Sequence, residues 1–256
     1  QYEIKRVIIV IRKIKKQILR FRRARKLGIN FFRNKTFDVP RSILISNQRF
    51  SLSLPKESGV TELFRDIVLD DEYWLHSLPV NQIKNILDVG ANVGLFSVAA
   101  KVRFPQACIH AYEPNLDVKK HLDHQASTFG FRAIYEAIGK NRGRGTLSKE
   151  LGCDTAARVN QDDNGEVKIT SLSQAIDRFD DKFVDLLKLD CEGYEHQLME
   201  EKGPWSNCKY LAMEYHLGPE MKPESICSNI QDLGFEILST SSRNPVIGNI
   251  LAKRKD

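Results

Sequence analysis

The chain has 256 residues and a net charge of +6, and its 41% hydrophobic and 28% charged content is typical of a globular protein. This composition excludes disordered, collagen-like and low-complexity classes, and the length allows one large domain, with or without an extension. The charge is uneven, because residues 1–35 contain 13 basic residues and one acid, Glu3, whereas the other 221 residues contain 26 bases and 32 acids. A basic arm of charge +12 and an acidic body of charge −6 are therefore predicted.

The five cysteines are widely spaced and form no Cys-x-x-Cys pair, which argues against a disulfide framework or a zinc site. This usage favours a reducing compartment, so a cytoplasmic protein is expected. The longest apolar run of the arm, residues 7–11, is too short for a membrane span, which needs about 20 residues. The chain starts at Gln1 rather than Met, so the removal of upstream residues stays open, as does a membrane anchor among them.

In the arm, apolar residues recur every three or four positions from Ile4 to Phe21, and basic residues occupy the opposite face. The pattern predicts an amphipathic helix that stops near Gly28. Three partners stay open. Residues 4–27 could lie on an anionic membrane surface and make the protein peripheral there. They could pack on the body or on a second copy in a homo-oligomer, or bind a polyanion such as RNA, which the lack of interleaved aromatic residues disfavours.

The middle segment, residues 36–80, begins with two apolar runs around Asn47 and Gln48, which predict a β-hairpin. Residues 61–77 have a helical pattern and carry a polar and aromatic cluster that includes Tyr73 and His76. This cluster is either a lid in which Tyr73 and His76 contact a substrate, or the solvated face of a connecting helix.

Residues 84–114 read as a strand, a glycine turn, a helix and a second strand that ends in an acid, which is a βαβ unit. Gly90 permits a tight turn off the strand, Gly94 lets the helix start close to the sheet, and Glu113 can accept hydrogen bonds from ribose hydroxyls. The alternative is that Gly90 and Gly94 are ordinary turn glycines and bind no ligand. The residues expected to bind a nucleoside cofactor here are Asp88, Gly90, Ala91, Asn92, Gly94, Glu113 and Pro114.

The glycine spacing indicates which nucleoside is bound. The dinucleotide fingerprint needs glycines at 92 and 95, where this chain has Asn92 and Leu95, so close approach to a pyrophosphate is disfavoured. A ligand without phosphates, S-adenosylmethionine, fits better than a nicotinamide cofactor.

Residues 131–139 are predicted to form a third strand whose exit, at Ala137, lies beside adenine. Residues 140–165 are rich in turn residues and should form an irregular excursion or a hairpin. A short strand at 167–169 and a helix capped by Ser171 follow.

A strand at 184–189 leads into three acids, Asp190, Glu192 and Glu195, at the edge where ligands bind in α/β sheets. Such crowding suits a base or a metal ligand, although helix capping by Asp190 with a solvated Glu195 is the alternative. The strand at 210–216 places Glu214 and His216 on one face. Residues 235–239 and 247–251 read as a closing antiparallel hairpin.

Asp190 and His216 are the candidate bases, and Glu192 and Glu214 would orient them or hold a divalent cation, although the pattern names no definite metal site. Asp190 is also expected to contact the cofactor, and Glu195 the substrate.

Three stretches, 87–97, 112–115 and 187–195, with Ala137-Ile138-Gly139 and Met213-Glu214-Tyr215-His216, together resemble the FkbM family of S-adenosylmethionine-dependent methyltransferases. The resemblance covers about residues 70 to 240. One departure is Ser171-Leu172-Ser173, where the family typically has Thr-Leu-Asp.

The resemblance implies a class I methyltransferase fold, which is a Rossmann-like α/β fold with a seven-stranded, mostly parallel sheet whose last strand is antiparallel. We expect this domain at 81–256, after a helical arm at 1–35 and a hairpin and helix at 36–80. It also implies O-methylation of a hydroxyl on a sugar, glycolipid or related small molecule. The alternatives are an RNA methyltransferase that uses the basic arm and a non-catalytic membrane-associated adaptor.

Overall fold

The computed structural model describes residues 2–29, 39–56, 59–149, 157–218 and 221–255. The chain divides into two compact units, Gln1–Glu72 and Tyr73–Asp256. The first unit combines the basic arm with most of the middle segment, and the second contains the whole region that resembles a methyltransferase. Residues 30–35 of the arm lie outside the described ranges.

The described helices are α1 (Tyr2–Lys26), α2 (Val60–Phe64), α3 (Leu95–Arg103), α4 (Lys119–Phe129), α5 (Leu172–Ile176), α6 (Glu195–Met199) and α7 (Pro223–Asp232). The described strands are β1 (Ser42–Ile45), β2 (Gln48–Ser51), β3 (Asn85–Val89), β4 (Cys108–Tyr112), β5 (Arg132–Ile134), β6 (Ala137–Gly139), β7 (Gly143–Lys149), β8 (Ala157–Gln161), β9 (Val167–Ser171), β10 (Val184–Leu189), β11 (Cys208–His216), β12 (Phe235–Ser242) and β13 (Ile247–Arg254). Among the described helices, none combines the length and the apolar content that a membrane span requires.

The first unit confirms the predicted arm helix and the predicted hairpin. α1 ends at Lys26, and Gly28 follows with a left-handed φ of 66°. β1 and β2 pair antiparallel around Ser46 and Asn47, whose φ values of 47° and 67° are those of a type I′ turn. The turn therefore lies one residue earlier than predicted, because Gln48 already belongs to β2.

The continuous helix predicted at 61–77 is wrong. α2 widens into a π-helical turn, Arg65–Leu69, and the chain returns to a 3₁₀ turn only at Leu75–Ser77. Between them, Asp71 and Trp74 have left-handed φ values of 59° and 53°. A left-handed residue cannot continue a right-handed helix, so these two positions break it.

The second unit confirms the predicted methyltransferase-type sheet. Its seven strands are ordered β12-β13-β11-β10-β3-β4-β5. β13 pairs antiparallel with both β11 and β12, whereas the pairs formed by β10, β11, β3, β4 and β5 are parallel. The last strand is therefore the antiparallel one, and the crossovers bring the carboxyl ends of β3, β4, β10 and β11 to one edge.

The predicted third strand is confirmed as β5, but its exit forms a further strand, β6, that was not predicted, so this segment supplies two sheets. β5 joins the main sheet, and β6 joins a four-stranded sheet of order β6-β9-β7-β8. The intervening Glu136 accepts hydrogen bonds from Lys168 (2.7 Å) and Arg178 (2.8 Å), and these contacts draw the chain to β9. The excursion that follows contains the β7–β8 hairpin, and its residues 150–156 lie outside the described ranges.

The remaining predicted elements of the second half are confirmed. Ser171 caps α5 by accepting a hydrogen bond from the backbone N–H of Gln174 (3.2 Å), and the Gln174 side chain completes a capping box. β10 and β3 run through the centre of the core, where Leu87, Leu187 and Leu189 have no exposed surface. This burial fixes both strand ends, from which the candidate site is built.

Candidate functional site

The turn after β3 depends on Gly90. The backbone N–H groups of Gly90 and Ala91 both donate to the carbonyl oxygen of Tyr112, at 3.0 and 2.9 Å. Gly90 has a φ of 75°, and a Cβ there would lie 1.9 Å from the carbonyl oxygen of Asp190. Only glycine therefore permits the turn after β3 to lie against the end of β10.

Gly94 opens α3 with a φ of 82°. A Cβ there would lie 3.0 Å from Cδ1 of Leu122 and 3.3 Å from Cζ of Phe131. Its absence lets the start of α3 pack tightly against its neighbours, and Ala91 belongs to the same small buried cluster as Leu122.

Glu113 lies at the end of β4, as predicted, and its carboxylate is held by two backbone N–H groups. Asn92 donates to Oε2 at 2.7 Å and Asn115 donates to Oε1 at 2.8 Å. Burial raises the pKa of Glu113, and the two hydrogen bonds and Lys188 oppose that shift. Each carboxylate oxygen can accept a further hydrogen bond.

Two other residues predicted to bind the cofactor lie beyond the ends of β4 and β5. Pro114 directly follows Glu113 and is half-buried, and Ala137 is buried at the start of β6.

The charged part of the site is built around Lys188, a residue that the sequence analysis missed. Lys188 is 2% exposed, and its Nζ donates to the carbonyl oxygens of Val89 (3.2 Å) and Gly90 (2.6 Å). The same Nζ lies 3.5 Å from Oδ1 of Asp88 and 3.3 Å from Oδ2 of Asp190. Burial lowers the pKa of Lys188, but the two carboxylates outweigh burial and raise it overall, so the side chain is a cation.

Asp88 was predicted to bind the cofactor, and the structure places it beneath the glycine turn. It is fully buried, its Oδ2 accepts a hydrogen bond from Ser97 at 2.6 Å, and it lies opposite Lys188 in the β3–β10 register. In this conformation Asp88 acts on the site through Lys188, because no surface of it is exposed.

Asp190 lies between the Gly90 turn and the charged group around Lys188. Oδ2 accepts a hydrogen bond from the hydroxyl of Tyr73 at 3.2 Å and pairs with Lys188. Tyr73 is 2% exposed and packs edge-on against Phe96, with ring centroids 5.2 Å apart. Tyr73, predicted to contact substrate, is therefore a buried support for Asp190.

His76 was predicted to contact substrate together with Tyr73. His76 is exposed and lies on the 3₁₀ turn at Leu75–Ser77, in which the carbonyl oxygens of Leu75 and His76 accept hydrogen bonds from Arg103 at 3.3 and 3.4 Å.

The turn after β10 is organised by Glu195, which has no exposed surface. Its carboxylate accepts hydrogen bonds from the backbone N–H groups of Cys191 (2.8 Å) and Gly193 (3.0 and 3.2 Å). The alternative that Glu195 is solvated is therefore wrong, because Glu195 is buried and accepts the hydrogen bonds of this turn. In this conformation it supports the turn instead of facing an acceptor.

His216, at the end of β11, is surrounded by three carboxylates. Its Nε2 lies 3.4 Å from Glu192 and 3.5 Å from Glu214, and its Nδ1 lies 3.6 Å from Glu195. Burial lowers the pKa of His216, but Glu195, Glu192 and Asp190 outweigh burial and raise it to about 9. The imidazole is therefore a cation at neutral pH.

Glu192 is the most accessible member of this group, with 31% of its side chain exposed. Burial and the negative charge of Asp190 raise the pKa of Glu192 to about 7, although His216 opposes the shift. Its backbone φ of 53° is uncommon for a residue with a side chain, and it turns the chain sharply between Asp190 and α6. Glu192 thus titrates near neutral pH beside a cation.

Glu214 is held by residues from the last hairpin, which the sequence analysis did not connect to the site. Its Oε2 accepts from Arg243 (3.2 Å) and from Asn249 (3.3 Å), the residue opposite Glu214 in the β11–β13 register. Burial and Asp190 raise the pKa of Glu214, and Arg243 opposes the shift. These contacts hold Oε1 of Glu214 at 3.5 Å from Nε2 of His216.

Asp190, Glu192 and His216 each present one ligand atom, and these atoms lie within 4.8 Å of one another. Two carboxylates and an imidazole suit several divalent cations. The same groups are complementary without a metal when His216 carries a proton, so the geometry accommodates either state.

The residues at this edge fit S-adenosylmethionine. Within the described part of the chain, no hydrogen-bond partner lies against Oδ1 of Asn92 or Oδ1 of Asp190, although both atoms are buried. A buried acceptor without a partner is costly, and the ammonium group in the amino acid part of this cofactor supplies donors. The Gly90 turn and the Glu113 carboxylate lie on the same edge, where the nucleoside is expected.

Comparison with known proteins gives one family. Residues 88–237 match the family model of the "Methyltransferase FkbM domain". "Methyltransferase sdnD" of Sordaria araneosa is 25% identical over 241 residues, covering 76% of this chain and 89% of that protein. "31-O-demethyl-FK506 methyltransferase FkbM" of Streptomyces tacrolimicus is 36% identical over 52 residues, or 20% of each chain.

A solved structure of fibrillarin from Aeropyrum pernix, in complex with S-adenosyl-L-methionine, is similar with a TM-score of 0.44 and 14% identity over 68% of each chain.

Proposed function

The chain belongs to the FkbM family of S-adenosylmethionine-dependent methyltransferases, and we propose that it methylates a hydroxyl oxygen of a sugar, glycolipid or related small molecule. One observation carries this proposal. Glu192 is a partly exposed carboxylate with a pKa of about 7, and it lies against the cationic His216. A hydroxyl acceptor needs a base that is ionised at working pH and strong enough to take its proton.

S-adenosylmethionine, when bound, supplies a methyl group that is already activated on a sulfonium. The protein must align the acceptor oxygen with that methyl group and remove the hydroxyl proton as the new O–C bond forms and the S–C bond to the leaving thioether breaks. Asn92, Glu113 and Asp190 would hold the cofactor through their available acceptor atoms. Glu192 would accept the proton and release it to solvent, to which its side chain is exposed.

His216 was the predicted base together with Asp190, and its charge argues for another role. A histidine that is already protonated cannot accept the acceptor's proton. As a cation 3.4 Å from Glu192, it favours the ionised carboxylate and stabilises negative charge on the acceptor oxygen. Asp190 is engaged by Lys188 and Tyr73, which suits holding a ligand better than moving a proton.

Two further points support oxygen as the methylated atom. The name of one relative states that its substrate is a 31-O-demethyl compound, which is a hydroxyl acceptor. The acidic body and the carboxylate-rich edge disfavour a phosphate backbone, since nucleic-acid sites are usually basic.

The test is a cofactor-consumption screen with purified protein across sugars, glycolipids, other small alcohols, amines and RNA. The expected result is turnover with a hydroxyl compound and an O-methyl product by mass spectrometry and NMR, while Glu192→Gln is nearly inactive on the same acceptor. An N-methylated product or turnover on RNA alone would overturn the proposal. Calorimetry that detects no S-adenosylmethionine binding would favour a non-catalytic adaptor.

The metal alternative is resolved in the same assay. If a proton on His216 supplies the positive charge, dialysis against a chelator leaves turnover unchanged. A turnover that is lost on chelation and restored by a divalent cation would assign Asp190, Glu192 and His216 to that cation.

A further inference from the structure

α1 carries an exposed apolar stripe. Ile11, Ile14, Ile18 and Phe21 are 49% to 58% exposed. Isolated exposed hydrophobic residues are ordinary, but a continuous stripe over three helical turns is typical of an interaction surface.

The opposite side of α1 is fixed within the first unit by ion pairs. Arg20 donates two hydrogen bonds of 2.5 Å to Asp70, and Lys16 lies 2.9 Å from the same carboxylate. Arg23 donates to the carbonyl oxygen of Leu69 at 2.9 Å and to Asp71 at 3.2 Å. Asp70 is almost fully buried, so this side of the helix is oriented by specific contacts.

The two sides are separated by helix geometry. At about 100° per residue, the apolar stripe at positions 11, 14, 18 and 21 is centred roughly half a turn from the anchored positions 16, 20 and 23. The contacts to the turn at 69–71 therefore aim the apolar stripe away from that turn.

Basic residues border the stripe. Lys15, Arg22 and Lys26 lie along one edge and Arg25 lies within it, and all four are exposed. α1 as a whole contains eleven lysines and arginines and a single acid, Glu3. An apolar stripe with a basic border has the chemistry of helices that lie in the interface of an anionic bilayer.

We propose that α1 binds the surface of an anionic lipid membrane, with the stripe in the acyl boundary and the basic border on lipid phosphates. A nucleic acid would engage the charges but leave the isoleucines exposed, since binding to a phosphate backbone is electrostatic. A second copy would cover the isoleucines but would oppose two basic borders, and like charges face to face are unfavourable. A membrane satisfies both features.

The experiment is flotation of the intact protein with phosphatidylcholine vesicles that contain or lack about 30 mol% phosphatidylserine, at low salt and at about 0.5 M salt. We expect binding only to the phosphatidylserine vesicles and its loss at high salt. Ile14→Ser with Ile18→Ser should weaken vesicle binding at least about tenfold, because two apolar side chains no longer enter the acyl boundary.

A matched control replaces Leu238 and Val246 with serine, since these residues are similarly exposed (45% and 48%) but lie outside α1. This variant should bind vesicles like the parent. A second variant, Lys15→Gln with Arg22→Gln, should weaken binding to phosphatidylserine vesicles while keeping the stripe intact, and an unchanged melting temperature in each variant shows that folding is preserved.

Equal binding to both kinds of vesicle, or no loss in the isoleucine variant, would overturn the proposal. RNA retention without vesicle binding would assign α1 to nucleic acid. A dimer that the isoleucine variant abolishes, again without vesicle binding, would assign α1 to self-association. None of these outcomes depends on which acceptor is methylated.

Discussion

The two halves of the sheet edge, at the ends of β3 and β4 and at the ends of β10 and β11, are built from different chemical groups. At the ends of β3 and β4, backbone groups dominate: the turn is closed by N–H groups on the carbonyl oxygen of Tyr112, and Glu113 is held by two further N–H groups. At the ends of β10 and β11, charged side chains dominate, and His216 lies within 3.6 Å of three carboxylates.

This contrast indicates how the work is divided. Backbone groups do not titrate, so the turn after β3 keeps its shape and polarity, which suits a constant ligand such as the cofactor. The β10–β11 half contains groups with pKa values of about 7 and 9, so its charge changes within the range in which enzymes work. Separate variants should therefore affect binding and chemistry separately.

The largest effect is expected for Glu192→Gln. Removing the proposed base should lower kcat by about 10²- to 10⁴-fold, because an amide cannot accept the hydroxyl proton. The Kd for S-adenosylmethionine, measured by calorimetry, should change little. Glu236→Gln, at an exposed position on β12, is the matched control. A Glu192→Gln enzyme with full kcat would show that another group moves the proton.

Lys188→Met should affect both halves through stability. Removing the cation leaves Asp88 buried without a partner of opposite charge, and breaking such a buried pair costs about 3–5 kcal/mol in the free energy of unfolding. Urea denaturation measures this loss.

The double variant Asp88→Asn with Lys188→Met should recover part of that stability, because no buried charge then remains at position 88. A loss below about 1 kcal/mol in the single variant would contradict the role of Lys188 as a buried brace.

Glu113→Gln should weaken cofactor binding while leaving chemistry intact. A glutamine side chain has one acceptor oxygen, so one of the two backbone N–H groups at Asn92 and Asn115 loses its partner, at a cost of about 1–3 kcal/mol. The Kd for S-adenosylmethionine should rise by about tenfold or more, and kcat at saturating cofactor should stay near that of the parent. A fall in kcat at unchanged Kd would show that Glu113 acts in the chemical step and not in cofactor binding.

The smallest effect is expected for the pH dependence of kcat, which tests the two titrating groups of the β10–β11 half. Below about pH 7, Glu192 is protonated and cannot act as a base, so kcat should rise with pH through that value. Above about pH 9, His216 loses its proton and its positive charge, so kcat should fall. The alkaline limb should disappear in His216→Gln. A profile that is flat from pH 6 to 10 would exclude both assignments.

Much of this architecture was predictable because local patterns determined it. The β3–α3–β4 unit, the capped α5 and the strands that end in Asp190 and His216 follow from apolar runs, glycines and capping residues. The second strand within 131–139 was not predicted, because the division into β5 and β6 depends on Glu136 reaching Lys168 and Arg178, which are distant in sequence.

The role of each residue in the site was harder to predict than which residues form the site. Lys188 carried a usable signal, since a lysine inside an apolar strand and two residues before Asp190 must bury its charge beside an acid. The charge of His216 carried none, because it depends on Glu192, Glu195 and Asp190, which follow β10 and which only the fold brings to the end of β11. For that reason Glu192, and not the predicted base His216, is the proposed proton acceptor.

The contact between position 90 and the carbonyl oxygen of Asp190 limits how this enzyme can be redesigned. A Cβ at position 90 would lie only 1.9 Å from that oxygen, so the turn after β3 and the turn after β10 must keep their spacing. Protein engineers who seek a new acceptor should leave residues 88–90 and 188–190 untouched. Substitutions should instead be made in the hairpin of β7 and β8, whose described residues pair with β9 and not with the seven-stranded sheet.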